Sequence, residues 1–247
     1  MKAPALVAHR GYPQHYPENT LIGFEAALAA GVRHLETDVQ LTADQVPVLF
    51  HDRTLARLCG VPGAIHDFTA EQLRQCPARD FERFGYRFAN EPIPTLSTFV
   101  DLLARHPEVT AFVEVKRIAV HRFGSAVVLN RVLRDLKPVL RQCVLISYSL
   151  ETMLHARRQG WSRLGIVIDR WRERTQPIVR EIQPEYLFCS IEGLPRFGRL
   201  AFEQAQIVVF EVAAADVAMR LARRGVPLIE SFAVGELQPQ LELLRTQ

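Results

Sequence analysis

Three short strings hold the residues best suited to chemistry: His9-Arg10, Glu36-Thr37-Asp38 and His51-Asp52. Glu36 and Asp38 sit two apart in an apolar run, and side chains two apart on a strand point to the same face. Their carboxylates share one space and repel unless a cation lies between them. A hard divalent metal, which prefers oxygen ligands, is the simplest occupant. Glu114, in the later string Glu114-Val115-Lys116, adds a third oxygen donor. Three such ligands leave open positions for water and substrate, as a catalytic Mg²⁺ or Ca²⁺ site requires. The competing explanation is ordinary ion pairing, for example of Glu114 with Lys116 or Arg117. His9 and His51 are the candidate acid and base, because imidazole titrates near neutrality. Arg10 presents a planar fork of donors that matches a phosphate, and Lys116 a point charge for the same anion. Glu18 could brace Arg10 or a histidine from behind, while Asn19 or Thr20 is expected to cap the helix that follows.

These side chains need strands that end together. Apolar β-rich runs at residues 5–11, 34–41, 109–116, 143–149, 164–169, 186–191, 207–212 and 227–232 alternate with helical patterns at 21–30, 96–105, 123–140, 150–159, 175–182, 200–204 and 216–224. Strand–helix alternation implies a parallel sheet with helices outside it. Eight repeats in 247 residues predict an α/β fold of the (β/α)₈ TIM-barrel kind, one catalytic domain over residues 1–247. Barrel enzymes carry their chemistry at the C-terminal strand ends, where these strings lie. Residues 47–52 form a further run too close to 34–41 for a helical crossover, so the two should pair as an antiparallel hairpin. The register expected is the one that sets His51 opposite Glu36 and so on the carboxylate face; a slip of one residue reverses every side chain. Residues 53–93 interrupt the rhythm and are expected to form an insertion that shapes the site, with a short helix at 68–75 capped by Thr69 and Gln72.

Bulk properties narrow the classes. Hydrophobic residues make up 48% and charged residues 23%, enough for an ordinary core. The net charge of +3 comes with scattered arginines and no basic block interleaved with aromatics, so nucleic acid is not the expected partner. No apolar run is long enough to span a bilayer, and residues 1–7 lead directly into the first strand, so neither membrane insertion nor a signal peptide is expected. Cys59, Cys76, Cys143 and Cys189 form no metal-binding spacing and are expected to be buried free thiols in a reducing, cytoplasmic setting. The oligomeric state is not legible.

The strings AHRG, PENT, LETDVQLTADQVPVLFHD and FVEVK, in that order, resemble the glycerophosphodiester phosphodiesterases. The resemblance covers most of the chain and is densest from Ala8 to Leu58. It implies a TIM barrel with an insertion after the second strand, and metal-dependent hydrolysis of a glycerophosphodiester to glycerol 3-phosphate and an alcohol. By the same resemblance Glu36, Asp38 and Glu114 would hold the metal, His9 and His51 would act as acid and base, and Arg10 and Lys116 would bind the phosphate. A lysophospholipase D, a phospholipase C-like enzyme or a catalytically silent phosphodiester-binding barrel are the alternatives. The C-terminal third departs from the family's Trp-Thr-Val-Asn and Thr-Asp strings: here stand Val209-Phe210-Glu211-Val212 and Ile229-Glu230-Ser231-Phe232. Phe210 can supply an aromatic wall, and the expectation is that Glu211 and Glu230 favour a cationic head group such as choline.

Overall fold

The computed structural model describes residues 3–245. The strands in chain order are β1 (Ala5–Ala8), β2 (His34–Leu41), β3 (Pro47–Leu49), β4 (Thr110–Val115), β5 (Cys143–Ile146), β6 (Gly165–Ile168), β7 (Tyr186–Ser190), β8 (Gln206–Phe210) and β9 (Leu228–Ser231). All but β3 run parallel in the order β5-β4-β2-β1-β9-β8-β7-β6. A bridge between Leu145 and Leu164 joins the two ends, with the Leu145 amide donating to the Arg163 carbonyl at 3.1 Å and the Val167 amide to Ser147 at 3.0 Å. Gly165 permits this seam, since a Cβ there would meet Ile146 Cγ2 at 2.9 Å. The result is the expected TIM barrel.

Alternation along the strands sorts the side chains into two cores. Val7, Phe112, Val144, Ile146, Val167, Phe188, Val208 and Leu228 fill the barrel interior. The opposite faces pack on the helices, for example Leu35, Val39, Ala111, Val113 and Leu145 against Phe24, Phe99, Val128 and Leu129. A third cluster belongs to the stretch after β3, where Leu55, Leu58, Cys59, Ile65, Leu73 and Cys76 pack on Val48 and Phe50. The helix Ala70–Leu73 lies there, with Thr69 and Gln72 forming the anticipated capping box.

Several expectations are corrected. In the hairpin, Val39 stands opposite Leu49, Gln40 opposite Val48 and Leu41 opposite Pro47. Continued upward, that register sets His51 against Thr37, one residue from the expected pairing with Glu36. The turn determines this: Thr42 and Val46 close it, through Thr42 N–H to Val46 O at 3.1 Å and Val46 N–H to Thr42 Oγ1 at 2.9 Å, so its centre falls on Asp44. The strand also stops at Leu49, three residues early, so the pleat no longer governs where His51 points. The expected helix at 200–204 is a turn with an isolated bridge between Phe202 and Ala205. Glu203 has φ +43° there, a left-handed conformation that no helix continues through. The segment 123–140 divides into the helix Ser125–Leu136 and a 3₁₀ turn Lys137–Gln142, and a helix Val234–Arg245 that the pattern does not announce closes the chain. Met1 and Lys2, which belong to the leader question, lie outside the described residues.

Two stability features follow from this frame. After β1 the backbone turns through left-handed conformations at Arg10 (φ +55°) and Gly11 (φ +89°). A Cβ on Gly11 would approach the Gly23 carbonyl carbon to 2.9 Å in the first helix. Gly11→Ala is therefore expected to destabilise the fold by about 1–3 kcal/mol, read as a lower midpoint in urea or thermal unfolding; an unchanged midpoint would contradict the close approach. The four cysteines are free and buried. Burial pushes the thiols of Cys59, Cys143 and Cys189 up to about 12, and that of Cys76 upward. A thiol at that value is ionised about one part in ten thousand at pH 8, so Ellman's reagent should label the native protein slowly and the denatured protein at all four sites. Prompt labelling of the native protein would refute the burial.

Candidate active site

The polar end of the barrel begins one residue past β1. His9 stacks on Phe232 with ring centroids 4.3 Å apart, and its Nε2 lies 3.9 Å from Glu36 Oε2. Burial and the neighbouring Arg10 charge hold the ring well below its ordinary pKa. The left-handed turn at Arg10 aims its amide at Glu36 Oε2 (3.1 Å) and its guanidinium at Asp38 Oδ2 (Nε, 3.1 Å) and Glu18 Oε1 (Nη1, 3.2 Å). A strained conformation held by several partners is a common mark of a functional position.

Parallel pairing of β2 with β4 sets Asp38 beside Glu114, so both carboxylates face the interior at one level. Oxygens of Glu36, Asp38 and Glu114 lie within 4.8 Å of one another. Lys116 reaches back over the pair, with Nζ 3.0 Å from Asp38 Oδ1 and 2.9 Å from Glu114 Oε1. Burial opposes the Asp38 charge, yet Lys116 and Arg10 outweigh it and keep this carboxyl well below the usual range. Glu36 goes the other way: burial first, then the charges of Asp38, Glu230 and Glu114, raise it well above the ordinary value. Burial also raises Glu114, and Lys116 offsets only part of that effect.

His51 lies across the cavity. Its Nδ1 is 2.9 Å from Asp52 Oδ1, and Asp52 Oδ2 accepts from Arg57 Nε at 2.7 Å. Burial works against the Asp52 charge, but the bonds from His51 and Arg57 hold its pKa down. An ionised carboxylate only accepts, so Nδ1 carries the hydrogen, and in the neutral ring Nε2 is the nitrogen with the lone pair. Arg57 also donates to both oxygens of Glu18, at 3.0 and 2.7 Å. A continuous chain of charge-assisted bonds thus runs from His51 through Asp52, Arg57 and Glu18 to Arg10.

The cavity these groups surround has a volume of about 230 Å³. His9, Arg10, Glu36, His51, Glu114 and Lys116 line its polar side; Ile146, Val167, Phe188 and Phe210 line its apolar side, with Tyr148 and Glu211 among its other walls. All the residues singled out for chemistry therefore gather at one end of the barrel, with Glu18 behind Arg10.

Sequence reasoning missed the parts that act at one remove. Asn19 does not cap the helix; Thr20 does, accepting from Gly23 N–H at 3.3 Å. Asn19, left-handed at φ +57°, instead donates Nδ2 to Asp38 Oδ2 at 2.9 Å and accepts from Thr37 Oγ1 and the Asp38 amide at 2.8 and 3.2 Å. The signal was a redundancy: Thr20 suffices as a cap, which frees Asn19 for other work. Arg57 carried no signal, because only the folded insertion brings it to Glu18. Glu230 lies deeper than its place in the sequence indicated, buried within reach of His9 and Glu36 rather than at the rim.

Residues 9–185 match the Glycerophosphoryl diester phosphodiesterase family. Among curated relatives, Glycerophosphodiester phosphodiesterase 1 of Bos taurus is 29% identical over 208 residues, covering 83% of this chain and 57% of that protein. Glycerophosphodiester phosphodiesterase of Caldanaerobacter subterraneus is 40% identical over 98 residues, 40% of each chain. The chain thus spans little more than half the length of the first of these relatives. Among solved structures, a glycerophosphoryl diester phosphodiesterase from Silicibacter pomeroyi superposes with a TM-score of 0.83 at 22% identity, over 98% of this chain and 94% of that one. An Oleispira antarctica phosphodiesterase in complex with the product sn-glycerol-3-phosphate superposes with a TM-score of 0.81 at 20% identity, over 97% of each. At these identities the superpositions speak for the fold.

Proposed function

Because this chain belongs to the glycerophosphoryl diester phosphodiesterase family, we propose that it hydrolyses a glycerophosphodiester to glycerol 3-phosphate and an alcohol, as one catalytic domain with an insertion at about residues 53–93. The observation that carries this reading is the convergence of Glu36, Asp38 and Glu114 within 4.8 Å of one another, in a cavity that His9 and His51 also line. The donor set fits a hard divalent cation, because all three ligands are carboxylates and Glu36 Oε1 is buried without a hydrogen-bond partner among the described residues. Mg²⁺ or Ca²⁺ held there supplies positive charge to the phosphoryl oxygens.

The chain's own groups do the rest. Arg10 spends one Nη1 hydrogen on Glu18 and sets its Nε 3.1 Å from Asp38 Oδ2 as an ion pair, and Lys116 spends two of its three hydrogens, so both keep donors for the phosphate. His51, its Nδ1–H held by Asp52, takes the proton from the attacking hydroxyl at Nε2. That hydroxyl belongs to water or to the substrate's own glycerol. As the bond from phosphorus to the departing oxygen breaks, a protonated His9 ring gives its proton to that oxygen; burial and the Arg10 charge keep the ring neutral in the free protein, and the charge of the bound phosphodiester is what would favour its protonation. The apolar wall keeps bulk water from the reacting atoms and so strengthens these electrostatic contacts. The buried free thiols accord with a reducing, cytoplasmic setting, and among the described residues no helix is long and apolar enough to cross a membrane.

The test is release of glycerol 3-phosphate from glycerophosphodiesters with and without a chelator. Activity that survives chelation would remove the metal from the scheme; no release from any glycerophosphodiester would remove the activity. The mouth of the cavity bears on the alcohol. Glu211 is exposed there beside Phe210, a carboxylate next to an aromatic wall, which suits a cationic head group. An exposed charge contributes about 0.2–1 kcal/mol, so Glu211→Gln should lower kcat/KM for glycerophosphocholine up to about fivefold and leave glycerophosphoglycerol unchanged. Equal loss on both substrates would end the head-group assignment.

A further inference from the structure

The four buried carboxylates at the top of the barrel are unevenly neutralised. Asp38 takes both nearby cations, Arg10 Nε at 3.1 Å and Lys116 Nζ at 3.0 Å, and Glu114 shares Lys116 at 2.9 Å. On the β1/β9 side the balance differs. Glu36 accepts the Arg10 amide on Oε2 only. Glu230, 3% exposed, is brought to this side by the pairing of β9 with β1, which sets it beside Val7. Glu36 Oε1, Glu230 Oε1 and His9 Nδ1 are all buried without a hydrogen-bond partner among the described residues. A buried carboxylate oxygen with no donor is costly, and burial pushes both carboxyls well above their ordinary range; a proton or a bound cation meets that cost.

We propose that His9, Glu36 and Glu230 form a second cation site, which shares Glu36 with the Glu36–Asp38–Glu114 set and takes a first-row transition metal such as Zn²⁺. Ligand atoms of the three residues lie within 4.8 Å of one another. One imidazole nitrogen with two carboxylate oxygens is a borderline donor set that suits Zn²⁺, whereas the all-oxygen set suits Mg²⁺ or Ca²⁺. The two sites therefore differ in metal preference while facing one cavity. The consequence rests on the catalytic reading above: a metal on the His9 ring occupies a lone pair, so Zn²⁺ inhibits the Mg²⁺-loaded protein.

Equilibrium dialysis with Zn²⁺ on full-length protein held in saturating Mg²⁺, for wild type and Glu230→Gln, tests this, with Mg²⁺ affinity measured separately on both by calorimetry. Glu230→Gln should weaken one Zn²⁺ equivalent by about tenfold or more, and weaken Zn²⁺ by a larger factor than Mg²⁺, whose site it touches only through Glu36. Zn²⁺ binding that is the same in both proteins overturns the proposal. Should Glu230→Gln fail to fold, ¹⁵N-histidine NMR of the wild type decides: Zn²⁺ must shift the His9 ring signals, identified with His9→Asn, and an unshifted ring overturns the site. Wild type that binds Zn²⁺ as described but shows no Mg²⁺ binding would instead overturn the Glu36–Asp38–Glu114 reading and leave this one standing.

Discussion

His51→Ala is expected to lower kcat by about 10²–10⁴-fold, the usual contribution of a positioned acid or base, with KM and thermal stability close to wild type. The side chain is 32% exposed and, among the described residues, its ring bonds only to the adjacent Asp52, so removing it leaves no buried group unpaired in the core. A stability loss as large as that of Gly11→Ala would point to a structural role instead. Asp52→Asn should give a smaller loss, because the imidazole remains but its tautomer is no longer fixed. The sign of the Asp52 shift matters here. Its pKa is depressed in the fold, so whatever it contributes is present above the ordinary carboxylate range and is lost as pH falls below that range toward the lower folded value. Asp52 therefore stays charged at neutral pH, and its grip on Nδ1–H does not vary across the range in which the enzyme would be assayed. His51→Ala activity within tenfold of wild type, in a folded protein, would remove His51 from proton transfer.

His51 also shows what a sequence can and cannot specify here. Strand alternation, the period-2 placement of Glu36 and Asp38, and the short link to residues 47–52 were all legible, because each is local. The hairpin register was not. It turns on whether the loop centres at Ala43 or Asp44, which the Thr42–Val46 bonds decide in favour of Asp44. By pleat logic that register would send His51 to the wrong face, yet His51 lines the cavity because the last ladder bond is that of the Phe50 amide to Asp38 O at 3.0 Å and the chain leaves the sheet after it. The position was anticipated, but by an incorrect route. Long-range partners left no trace either. Arg57 meets Glu18 across 39 residues, and Glu230 approaches His9 only because β9 closes beside β1. Asn19 was the intermediate case: its residue type and neighbour hinted at a second role, but only the fold brings it onto Asp38.

Asp38→Asn is expected to lower stability and turnover together, because it removes a counter-charge and, on the proposed function, a metal ligand. Asp38 is 1% exposed, and both its oxygens face donors: Lys116 Nζ on one side, Arg10 Nε and Asn19 Nδ2 on the other. An asparagine must turn its NH₂ toward one of these sides, which sets donor against donor. Breaking a buried pair of this kind costs about 3–5 kcal/mol. The lower end applies, since Lys116 retains Glu114 and Arg10 retains Glu18. For a chain of this length that is a fall in melting temperature on the order of 10 °C. Turnover should drop by at least about 10²-fold at a metal concentration that saturates wild type, and Mg²⁺ affinity measured by calorimetry should fall with it. Asn19→Ala separates the two causes: it leaves the Asp38 charge in place and removes the donor that orients it, together with the acceptor of Thr37 Oγ1 and the Asp38 amide and a residue type suited to φ +57°, so its cost should be at least about 1–3 kcal/mol with metal affinity far less affected. If Asp38→Asn binds Mg²⁺ as wild type does and loses only stability, Asp38 is a counter-ion for Arg10 and Lys116, and the ligand set must be sought in Glu36 and Glu114 alone.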